Sequence, residues 1–94
     1  MSKYFMFGQY SSDSLKGISA DRTKKANAII KKHGGKILSI YALLGKFDLV
    51  FIVELPGVKE AVKASVEITK LTGIAFTTSP AIEVQDFDKL VGKK

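Results

Sequence analysis

The chain has 94 residues, of which 46% are hydrophobic, 26% are charged and none is cysteine. That length holds one domain and leaves no room for a second, and the ordinary apolar share argues against disorder. The lack of cysteine excludes a disulfide framework, a thiol nucleophile and a thiolate metal site, while 15 Lys+Arg against 9 Asp+Glu give +6 at pH 7 and raise the question of an acidic partner.

Lys3 to Tyr10 is rich in aromatics, is bounded by Ser11-Ser12-Asp13-Ser14, and reads as a first strand. Leu15 to Ile18 reads as a connector containing Gly17. Ser19 then suits a helix N-cap and Asp21 suits the positive end of a helix. From there to His33 the spacing is helical, with Arg22, Ala26, Ile29, Ile30 and His33 on one stripe. Gly34 falls where a helix end often needs φ > 0, and Gly35 lets the chain turn at once.

Lys36 to Leu44 and Phe47 to Leu55 are two apolar runs of strand composition joined by Gly45-Lys46. A two-residue type II′ turn there would pair Leu44 with Phe47, Leu43 with Asp48, Ala42 with Leu49 and Tyr41 with Val50. This register puts Leu38, Ile40, Ala42, Leu44, Phe47, Leu49, Phe51 and Val53 on one face. It puts Ile37, Ser39, Tyr41, Leu43, Asp48, Val50, Ile52 and Glu54 on the other, and a one-residue change of loop length reassigns at least one strand. After Pro56-Gly57, Val58 to Leu71 is helical, with Val58, Ala61, Val62, Ser65, Ile68 and Leu71 available to a core. Ile74 to Val84 reads as a fourth strand, and Pro80 within it demands a sheet edge or a bulge. Asp86 to Val91 reads as one short helical turn, and residues 92–94 as a tail expected to fray.

The order β-α-β-β-α-β is that of the α+β ferredoxin-like fold, a single domain over residues 1–94. Right-handed crossovers place both helices on one face of a four-stranded antiparallel sheet of order 4-1-3-2. Because the strands are apolar on both faces, the face without helices calls for a partner. No apolar run nears the roughly 20 residues of a spanning helix. The N-terminal stretch, broken at Gly8-Gln9, is too short for a signal peptide, so a cytoplasmic protein is expected.

No HExxH, calcium loop or phosphate-binding glycine loop occurs, and His33 is the single histidine, so no metal site or cofactor is expected. Four polar groups at apolar places remain as candidates. Asp48 opens an otherwise hydrophobic strand; it either ties down the Gly45 hairpin or acts beside Tyr41 at a pocket mouth. Tyr41 is otherwise an amphipathic interface aromatic. Arg22 and His33 end the inward stripe of the first helix and would bracket an anionic ligand, unless Arg22 snorkels and His33 caps the helix. Tyr41, Asp48 and His33 are thus the catalytic candidates, and Arg22, His33, Tyr41 and Asp48 the ligand-binding ones. Lys24, Lys25, Lys31, Lys32 and Lys36 cluster on and after the first helix without interleaved aromatics. Phe5-Met6-Phe7-Gly8 and Lys46-Phe47-Asp48-Leu49-Val50-Phe51 resemble the two RNA-recognition segments of this fold only superficially, so nucleic acid is disfavoured as a partner.

From Arg22-Thr23 through Ala26, Ile29-Ile30, Gly34-Gly35-Lys36, Tyr41, Leu43-Leu44-Gly45-Lys46-Phe47-Asp48 and Val53-Glu54-Leu55-Pro56, the chain resembles the GYD-domain family. Gly45-Lys46-Phe47-Asp48 stands for the signature, with Phe47 in place of the usual tyrosine, and Gly57 replaces the usual acid after Pro56. Gly34, Gly35, Gly45, Phe47 and Asp48 would be its structural motif. The resemblance implies a bacterial or archaeal protein of the dimeric α/β-barrel superfamily, whose sheets pack face to face. Gly73-Ile74 and Thr77-Thr78-Ser79 also resemble the end of the Lrp/AsnC-type effector domain of that superfamily. The expected function is a homo-oligomeric small-molecule-binding or regulatory module without catalytic activity. A cofactor-free enzyme, monooxygenase- or isomerase-like, is the alternative, and RNA binding the second alternative.

Overall fold

The computed structural model of the protein describes residues 1–92; the last two residues of the expected tail lie outside the described residues. The elements run β1 (Ser2–Gln9), α1 (Ser12–Lys16), α2 (Ala20–Lys32), β2 (Lys36–Ala42), β3 (Leu49–Leu55), α3 (Val58–Thr72), β4 (Ala75–Ala81) and α4 (Val84–Val91). The four strands form one antiparallel sheet of order β2-β3-β1-β4, the expected sheet read from its other edge. Pro80 thereby lies on an outer strand, opposite Tyr4, where its missing N–H breaks no inner ladder.

Local chemistry sets the helix ends. The Ser19 hydroxyl accepts the Arg22 N–H at 3.0 Å and starts α2. Gly34, at φ 83°, and the Gly35 N–H to Ile30 carbonyl bond of 3.0 Å turn the chain out of it. Gly73 ends α3 at φ 73°. Tyr4, Met6, Leu49, Phe51, Val53 and Leu55 line one sheet face and pack against Ala26, Ile30, Ala61, Ala64 and Ile68 of α2 and α3.

Five expectations need correction. First, Ser12–Lys16 is a helix, reaching into the Leu15 to Ile18 stretch expected as a connector, because Ser11 and Ser14 cap each other's backbone N–H groups in a capping box. Second, α3 buries Ala61, Ala64, Ile68 and Thr72, while Val58, Val62 and Leu71 are exposed; small alanines on the inner row let the helix approach the sheet. Third, the β2–β3 connection is not a two-residue turn. The Ala42–Leu49 and Tyr41–Val50 pairs form as expected, and the Leu43 N–H to Asp48 carbonyl bond of 2.8 Å closes the ladder. Residues 44–47 then form a wider loop, with Leu44 in solvent and the Phe47 ring 5.1 Å from that of Phe7. Fourth, a bulge between Ile37 and Ser39 takes Leu38 out of register and brings Ile37 opposite Val53, against the core. Fifth, the C-terminal segment is a helix, Val84–Val91, ended by the Gly92 N–H on the Asp88 carbonyl at 2.8 Å.

The sheet face without helices carries Phe5, Phe7, Val50 and Ile52, which alternate with the core residues. The Phe5 and Phe7 ring centroids are 6.2 Å apart, and Phe47 extends the row. Val50 is buried although no helix covers it, because Phe7 and Tyr41 flank it in the two ladders.

Candidate functional site

The four candidate side chains do not meet at one place. Asp48 lies at the loop end of the β2–β3 hairpin. Its Oδ2 accepts the Tyr10 N–H at 2.8 Å, its own N–H donates to the Gly8 carbonyl at 2.8 Å, and Gln9 Nε2 reaches the Lys46 carbonyl at 2.9 Å. The carboxylate thus joins the end of β1 to the β2–β3 connection, the tying-down role weighed from its position. Gly45 beside it has φ 118° and open space at its missing Cβ, so the backbone angle alone calls for glycine there. At Gly35 the need is opposite: a Cβ would collide with the Glu54 carbonyl and the Leu55 side chain.

His33 is the C-cap of α2, far from Asp48 along the fold. Its Nε2 lies 2.8 Å from Glu67 Oε1 on α3, and Lys32 Nζ lies 3.2 Å from the other oxygen. The His33 side chain is 12% exposed and that of Glu67 35%. The hydrogen bond from His33, and after it that from Lys32, hold the Glu67 carboxyl below the ordinary glutamate range. Glu67 was not readable as this partner, because 34 residues separate the two and only the packing of α2 on α3 joins them.

Arg22 and Tyr41 border one pocket, although its pairing with Val50 puts Tyr41 on the helix-free sheet face. They line a pocket of about 110 Å³ between the start of α2 and the sheet, walled by Ile40, Leu49, Phe51 and Ile74. Arg22 Nη1 donates to the Ser14 carbonyl at 2.6 Å, and its guanidinium carbon lies 5.9 Å from the centre of the Tyr10 ring. Tyr10, Ser19, Thr23 and Thr72 also line the pocket and were not among the candidates; for Tyr10, its place at the end of β1 was the available signal. Asp48 and His33 are not among the lining residues. Among the described residues no three His, Asp or Glu side chains gather as metal ligands, and no helix is long and apolar enough to cross a membrane.

The fold is shared with solved structures of low sequence identity. The leucine response regulatory protein (LrpA) of Mycobacterium tuberculosis superposes with a TM-score of 0.58 at 11% identity, over 87% of this chain and 51% of that one. A crystal structure described only as a glutamate-to-alanine mutant gives 0.57 at 12% identity, over 87% and 50%. The chain therefore spans about half the length of the structures it matches. No curated protein sequence matches it. The GYD domain, by contrast, matches residues 4–91, nearly the whole chain. With its ferredoxin-like sheet and the Gly45-to-Asp48 loop tied to β1, the chain belongs to the GYD-domain family.

Proposed function

We propose that the protein is a cytoplasmic, homo-oligomeric module that binds a small molecule or serves regulation, without catalysis of its own. The observation that carries this reading is the helix-free sheet face. Phe5, Phe7, Phe47, Val50 and Ile52 form a contiguous apolar surface that a second sheet would cover. Two such sheets packed face to face make the α/β barrel expected of the superfamily. The regulator named among the structural neighbours agrees with a regulatory role.

The pocket holding Arg22 and Tyr41 is the site for the ligand. Its apolar walls and single guanidinium suit a small molecule with one anionic group. Catalysis is the weaker reading because Asp48 is bonded to the Tyr10 N–H and His33 to Glu67, each outside that pocket. RNA binding gains the phenylalanine row on the open face, but Lys24, Lys25, Lys31 and Lys32 belong to α2, on the opposite side of the sheet.

Static light scattering at micromolar concentration tests the oligomer. The wild type is expected at twice 10.2 kDa or more, and Phe7→Asp at a lower mass than the wild type with unchanged circular dichroism. A wild-type protein found only at 10.2 kDa overturns the reading.

A further inference from the structure

Two apolar surfaces outside the open sheet face have no partner among the described residues. The first is on α4, where Val84, Phe87, Leu90 and Val91 share one side and no residue is buried; Phe87 is 54% exposed. Asp86 and Asp88 bracket that stripe. The second is on α3, where Val58, Val62 and Val66 recur every four residues, beside the buried row of Ala61, Ala64 and Ile68. With Tyr4, Phe76 and Pro80 they wall a groove of about 310 Å³ between α3 and β4.

The two surfaces match. At a rise of about 1.5 Å per residue, the Val58–Val66 stripe is about 12 Å long and Val84–Val91 about 10 Å. Lys59 and Lys63 flank the valine stripe and Lys70 continues it one turn on, all opposite in sign to Asp86 and Asp88. Among the described residues none of these five side chains forms an ion pair. None of the residues of the chain's own α4 lines that groove. Its N-cap, Glu83, is held by Lys3 at 3.1 Å, and the molecule extends to 50 × 30 × 18 Å. Its radius of gyration is 14.2 Å, against about 12 Å for a compact chain of this length.

We propose that α4 is an exchange arm: two copies each lay α4 into the α3–β4 groove of the other, a reciprocal two-fold contact. The occupant of the groove is thus a second copy of this chain. This contact uses neither the open sheet face nor the Arg22 pocket.

The absence of cysteine makes a clean test possible. Val62 is 57% exposed and Phe87 54%, so Val62→Cys and Phe87→Cys leave the core intact. Oxidation of the double variant is expected to shift the non-reduced band from 10.2 kDa to twice that mass, reversibly on reduction. Mixing the two single variants, one of them isotope-labelled, should give a linkage between positions 62 and 87 of different copies by mass spectrometry. A bridge within one chain, meaning that α4 folds back into its own groove, overturns the proposal, as does the lack of any 62–87 linkage. As a second measurement, Phe87→Asp should raise the dissociation constant of the oligomer at least tenfold; an unchanged constant counts against the arm. Neither position lies on the open sheet face, so a failed arm and a failed sheet contact give different results.

Discussion

Asp48 works through its backbone neighbours. One carboxylate oxygen takes the Tyr10 N–H, so truncation strands a donor that the fold has already taken partly out of water. Asp48→Ala should cost about 1–3 kcal/mol in urea unfolding. Asp48→Asn keeps a carbonyl oxygen at the same place and should cost less than half of that; equal losses for the two would mean that the carboxylate charge, not the acceptor, matters. A lone acid at the head of an apolar strand gave this role away in the sequence. Phe47 did not: its face follows from the loop geometry around Gly45, and alternation along β3 says nothing of a residue before the strand begins at Leu49. Tyr41 is 56% exposed.

Among the elements, α2 and α3 are joined at one end by the His33–Glu67 bond. The Glu67 carboxyl is held below the ordinary range of about 4.3, so the unfolded chain binds the proton more tightly than the folded one. This contribution is complete above that range and is lost as the pH falls through the lowered folded value. Glu67→Gln should therefore flatten the fall in urea midpoint between about pH 5 and pH 3, where the wild type declines. An unchanged slope would show that the bond does not couple to folding. The sequence displayed α2 well, because Ser19, Gly34 and the Ala26–Ile30 spacing all point the same way. It concealed α1, which rests on a reciprocal serine cap, and the length of α4, whose apolar side meets nothing within its own chain. The phase of α3 was misread for a related reason: valines at the groove and alanines in the core invert the usual rule that the larger apolar residue faces inward.

At the scale of the molecule, the domain is complete without its last helix. None of the residues of α4 is buried. A chain ending at Glu83 should therefore match the full chain's unfolding free energy to within about 0.5 kcal/mol at protein concentrations low enough for monomers. A larger loss, read by urea titration, would reveal a docking of α4 on its own domain. Sheet order was legible from end to end, since two crossovers and one edge proline leave a single arrangement. The site was only half legible, because packing alone brings Arg22 and Tyr41, 19 positions apart, to the border of one pocket. The two outer strands have one more consequence. Pro80 removes a donor near the end of β4, and the bulge at Leu38 throws β2 out of step. A foreign strand finds no continuous row of amides on either side to extend. Even with its phenylalanines facing outward, this chain resists cross-β fibril growth, so concentrated samples should stay dark to thioflavin dyes while they associate through their flat surfaces.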